Sequence, residues 1–197
     1  IDETVYNINN VPVIRDGTVD SCLLILHDWA NDLTLAEAEI DNERGVIHEE
    51  WRQGQGAMMR MYEQALPKAY QGGKYGHRLP IGTIEVIDNF PYQALRDYYE
   101  TWYRPDQQGI IVVGDIDVDK VETKIKEIFS CIKMPANAPE RKYEPVADNK
   151  EPIITIAKDK EQPSTMIYIW HKHPATPNEA KGNIGYLVQN YLFSMIS

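Results

Sequence analysis

The chain has 197 residues, 43% hydrophobic and 25% charged, and carries a formal net charge of −10. This length holds one domain, or one domain and part of another, with the composition of an ordinary globular protein. The acidic balance excludes the broad basic face that phosphate-backbone binding needs, so no nucleic-acid partner is expected.

No apolar run reaches the roughly 18–20 residues of a membrane span, and no signal peptide is visible. The chain does not begin with Met, and Leu192 to Ser197 continue an apolar helical pattern without a cap. Both ends therefore read as cuts through a longer protein. The two cysteines, Cys22 and Cys131, form no CxxC pair and read as small buried residues.

In chain order, Thr4 to Val11 reads as a strand ending near Pro12, and Asp16-Gly17 as a turn. Val19 to Ala30 places Val19, Leu23, Leu26 and Ala30 on one helical face. Thr34 with Glu37 three residues on is a capping-box pattern, opening a helix from Leu35. Gly54 and Gly56 predict a break, Met58 to Leu66 a further helix, and Pro67 its stop. Thr83 caps a short helix over Ile84 to Asp88, and Pro91 takes the first position of a helix through Tyr103. Gly109 to Gly114 is a β-branched apolar run, the pattern of a strand buried on both faces. Asp117 or Asp119 caps a helix over Val121 to Ile132.

Residues 135–152 contain Pro135, Pro139, Pro145 and Pro152 among many charges, as a linker does. Ile153 to Ala157 and Met166 to Trp170 read as strands, and Asn178 to Ile196 as a helix. The fold class expected is α+β: a mostly antiparallel sheet with helices on one face, incomplete, followed by the start of a second similar domain. The divisions are 1–134, the linker 135–152, and 153–197. Exposed edges of such a sheet invite self-association.

Chemistry centres on Ile40 to Arg52. Glu43 and Glu50 stand seven residues apart on the helix. At about 100° per residue they return to within roughly 20° of one another, about 10 Å apart along the axis. A carboxylate ligand backed by a second acid suits a hard or borderline metal. Charged positions on a helix are, however, ordinarily a solvated face. HExxH fails because Arg52 stands where the second histidine belongs, and HxxEH is absent. His48 projects about 200° away from Glu50. His27 reads as structural, and His171 with His173 would share one face of a strand. No phosphate-loop motif occurs.

Glu43-Arg-Gly-Val-Ile-His-Glu-Glu50 resembles the distal zinc-ligand helix of the pitrilysin/insulinase-type zinc peptidases, whose pattern is close to E-R-x-x-I-x-x-E. Three more stretches are similar to the same family, in order. They are Ile1 to Tyr6, Gly82 to Ile87 with the helix ending Trp102-Tyr-Arg-Pro-Asp106, and Val112 to Asp117. Together they cover residues 1–134. The resemblance implies a zinc-dependent endopeptidase acting on peptides or small unfolded proteins, with Glu50 as third zinc ligand. Glu43 matches the acid behind it, which holds a ligand or tunes the metal. The family's HxxEH helix supplies two histidine ligands and a glutamate base. That segment is absent here, so the chain alone is expected to be inactive and zinc-free. The alternative is a non-catalytic scaffold or substrate-clamp half of the same family. The Glu-Glu-Trp-Arg-Gln form of the helix is similar to that of long bacterial periplasmic enzymes, which implies a periplasmic or secreted protein.

Overall fold

The computed structural model describes residues 3–15, 17–172 and 184–196. Seven α-helices are seen among them: α1 (Thr18–Asn31), α2 (Glu37–Gly54), α3 (Ala57–Ala69), α4 (Ile84–Asn89), α5 (Tyr92–Trp102), α6 (Val118–Phe129) and α7 (Ile184–Ile196). Short 3-10 turns lie at Lys74–Gly76 and Pro105–Gln107.

The expected antiparallel sheet is not there. No strand forms among the described residues, and this corrects the α+β reading. A strand exists only through its ladder, and β-branched composition is merely a preference for a pleated, half-buried surface. Within the described residues no segment pairs with Gly109 to Gly114, so Ile111 is 86% exposed and Val113 90%. Ile154, Ile156, Ile167 and Ile169 are likewise exposed. Among the described residues there is no sheet edge to offer the expected route to self-association. Thr4 to Val11 is also not a strand; Tyr6 instead hydrogen-bonds the Tyr103 hydroxyl and packs 5.6 Å from the Trp29 ring.

The helices pack in pairs. α1 lies on α6, where Leu23 is 2% exposed and His27 meets the Phe129 ring edge-on at 5.4 Å. Full burial of a leucine contributes roughly 1.5–3 kcal/mol. The Asp117 carboxylate, one of the two caps expected, accepts from the Lys120 N–H at 3.1 Å and caps α6, which starts at Val118 rather than Val121. α2 lies on α4 through buried Ile40 and Ile87. Thr83 caps α4 as expected, its hydroxyl accepting from the Val86 N–H at 3.4 Å.

Two helix boundaries differ from expectation. Thr34 caps nothing: Leu35 adopts φ 44° and α2 starts at Glu37. Glu37, which would complete the capping box, instead pairs with Arg96 at 3.6 Å, and Arg96 also donates to the Leu35 carbonyl. Pro67 does not stop α3, which runs on to Ala69. The extra turn buries Leu66, and its carbonyl accepts from the Tyr70 N–H at 2.9 Å. Gly76 then crosses α3 so closely that a Cβ there would sit 3.2 Å from Pro67 Cα, a tight contact that favours glycine. The break at Gly54–Gly56 occurs where expected.

Candidate functional site

α2 presents two different flanks. Ile40, Arg44, Ile47 and His48 follow the helical repeat and face α4 and the start of α5. Arg44 is the clamp. Its guanidinium donates to the carbonyls of Ile87 and Phe90, the latter at 2.8 Å, and to Asp41 at 3.1 Å. It also lies 4.0 Å over the Phe90 ring. A planar fork with a polarisable face is the only side chain that makes all of these contacts together. Asp41 further accepts from the Tyr92 hydroxyl at 2.7 Å, and that bond, with Arg44, holds its carboxyl below the ordinary range. His48 bonds Asp88 at 2.5 Å, a further tie between α2 and α4.

Glu43 and Glu50 lie on the adjoining, exposed flank. Neither makes a hydrogen bond or ion pair among the described residues. The neighbouring Glu49, by contrast, is chelated by Arg52 at 2.6 and 2.8 Å and accepts from Gln53 at 3.0 Å, so its carboxyl falls to about 2. The Arg44 clamp thus fixes the helix and leaves Glu43 and Glu50 with all their acceptor positions open. Among the described residues no histidine bonds them: His48 is on Asp88 and His27 is on α1, while His173 lies outside the described residues. His171 is not in a strand.

One turn beyond Glu50, Gln53 and Gly54 open a groove of about 1780 Å³ between α3 and residues 149–172. Met58, Tyr62, Ile154 and Ile169 line it. Arg60 holds its two walls together, forking onto Asp159 at 2.7 and 2.8 Å and reaching Glu161 at 2.5 Å. Trp170 meets the Tyr62 ring at 6.1 Å and the Tyr70 ring at 6.4 Å.

Residues 89–188, half of the chain, match the family model described as the Peptidase M16 inactive domain. The chain belongs to the M16 peptidase family. This is the pitrilysin/insulinase type that the α2 motif resembles. The Probable zinc protease PqqL of Escherichia coli strain K12 is 33% identical over 174 residues, 88% of this chain and 18% of that protein. The Zinc protease PQQL-like of Arabidopsis thaliana is 27% identical over 176 residues, 89% of this chain and 18% of that protein. The crystal structure of the first half of the periplasmic protease PqqL from Escherichia coli matches with a TM-score of 0.63 at 33% identity. That match covers 70% of this M16 chain and 29% of the other. The chain spans 18% of the length of each of these two curated relatives.

Within the M16 chain, the motif reading placed Glu43 and Glu50 on this helix but missed Arg44 as the residue that ties α2 to the Ile87 and Phe90 carbonyls. A signal for it was present. An arginine four residues after Ile40 and three before Ile47 sits in the middle of the apolar stripe, where a solvated charge does not belong.

Proposed function

We propose that these residues are a section of a zinc-dependent metalloendopeptidase, acting on peptides or small unfolded proteins, in which Glu50 is the third zinc ligand. The observation that supports this is the fixed α2 with Glu43 and Glu50 unpaired on its exposed flank beside a groove. An unpartnered carboxylate is free to take a metal, so Glu50 fits as one ligand. One carboxylate is far short of the usual three protein ligands, so the others come from outside the chain. When bound, zinc supplies a polarised water for attack on a peptide carbonyl.

The chain's own residues position and bind. Arg44 sets the rotation of α2, Glu43 orients a ligand or tunes the site from one side, and the groove past Gln53 receives an extended peptide. The chain divides at 135–152 into the end of one domain and the start of another, and the protein is periplasmic or secreted. No helix among the described residues is long and apolar enough to cross a membrane.

A second reading has its own support. The matched model is that of an inactive domain, and its span of 89–188 leaves α2 outside. In that reading the chain is a non-catalytic scaffold or substrate clamp. Peptide cleavage by the protein carrying its native flanking residues separates the two. Glu50→Gln abolishes cleavage and Glu43→Gln reduces it if the first reading holds. Cleavage indifferent to both substitutions would leave only the second.

A further inference from the structure

We infer that the C-terminal end of α1 holds a divalent first-row cation of the zinc class between His27 Nδ1, Asp28 and Asp32, separate from Glu50. His27 is 8% exposed, and its Nδ1 has no hydrogen-bond partner. Yet Nδ1 faces two carboxylates, Asp32 Oδ2 at 3.3 Å and Asp28 Oδ1 at 3.7 Å. The three ligand atoms lie within 4.8 Å of one another.

The contact of Nε2 with Cys131 bears on what Nδ1 presents. Cys131 Sγ donates to the Ile128 carbonyl at 3.2 Å, so its proton is committed. Sγ therefore accepts from His27 Nε2, which lies 3.3 Å away. A ring with its hydrogen on Nε2 alone aims the Nδ1 lone pair at the Asp32 and Asp28 oxygens. Acceptor against acceptors is repulsive, and a cation between them relieves it, as a second proton on the ring would. Two ligands at about 2.0–2.2 Å on a tetrahedral ion stand roughly 3.4 Å apart, the spacing these atoms straddle. A histidine held through its other nitrogen by a second group is the usual arrangement of an imidazole ligand. Mixed imidazole and carboxylate donors select a borderline ion rather than calcium or magnesium.

The surroundings favour a positive charge. The site is at a helix C-terminus, where the backbone dipole is negative, and the last turn of α1 has no basic residue. Asp32 folds back as the C-cap, its N–H donating to the Asp28 carbonyl. Asn31 donates to its Oδ1 at 2.9 Å, leaving Oδ2 for the site. Both aspartates are about half exposed, so water completes the coordination shell.

The test is titration of the full chain with Co²⁺ and Zn²⁺ after chelation and dialysis, in a Glu50→Gln background that silences the other proposed ligand. Cobalt d–d absorbance saturating at one equivalent is expected. Asp32→Asn and Asp28→Asn, both at exposed positions, should each weaken it at least ~10-fold while circular dichroism stays unchanged. His27→Gln should abolish it. Because that buried change can also disturb folding, the two aspartate variants are the deciding ones. The His27 ring resonances should shift on Zn²⁺ addition. No saturable binding by the folded Glu50→Gln chain, or binding indifferent to both aspartate variants, would overturn the site. Either result leaves the Glu50 reading standing, since that reading is tested by cleavage.

Discussion

Arg44 and Glu50 stand in one short motif in contrasting surroundings, the first engaged and the second exposed. The arginine is largely buried and spends its guanidinium on two carbonyls, a carboxylate and an aromatic face. Arg44→Ala strands those carbonyls and removes the cation from Phe90. We expect a loss of about 2–3 kcal/mol in urea unfolding, the cost of charged hydrogen bonds removed from a packed site. Arg44→Lys should recover little, because an ammonium has no fork. Glu43→Gln and Glu50→Gln, by contrast, should leave the urea midpoint unchanged, since neither carboxylate has a partner to lose. If Glu50→Gln were as destabilising as Arg44→Ala, Glu50 would be structural and its proposed role untenable. The sequence made both acids legible through the seven-residue spacing. It did not make Arg44's role legible, because its partners Ile87 and Phe90 lie more than forty residues away.

At the scale of elements, caps and periodicity were reliable guides where the relevant partner is local. Thr83 and Asp117 cap α4 and α6 with their own side chains. Asp117→Ala should therefore cost about 1 kcal/mol, and Asp117→Asn much less, measured as shifts in thermal unfolding. Local reasoning failed at Thr34, because Arg96, from another element, holds the Leu35 carbonyl and Glu37. It failed for the strands for the same kind of reason: a strand is defined by a neighbour, and alternation cannot show whether one is present.

The groove walls depend on Arg60, and this contact is sensitive to acid. Its hydrogen bonds hold the Asp159 carboxyl at about 2, against an ordinary 3.8. A depressed carboxyl contributes its stability in full above pH about 4 and loses it as the pH falls through about 2. The Trp170 indole resonance, packed on Tyr62 and Tyr70, should accordingly shift on acidification through that window. Asp159→Asn should remove the acid step. A Trp170 signal that moves identically in the variant would mean that the pair does not hold the segment.

Over the whole molecule, the described residues bury few large apolar side chains: Leu23, Ile40, Leu66 and Ile87 form the core. Helix positions and the family were legible in the sequence, since four short stretches in the right order and spacing carry the resemblance and the match over 89–188 supports it. The expected architecture was not legible. Sheet formation depends on pairing between segments, which neither composition nor periodicity encodes, and the described chain is helical.

The central claim is that Glu50 is a metal ligand in a zinc peptidase. The most direct measurement is the zinc content of the protein purified with its native flanking residues, as wild type and as Glu50→Gln, with Asp32→Asn in both to remove the α1 site. About one zinc per molecule is expected in the first and almost none in the second. Equal zinc in both, or none in either, would contradict the claim.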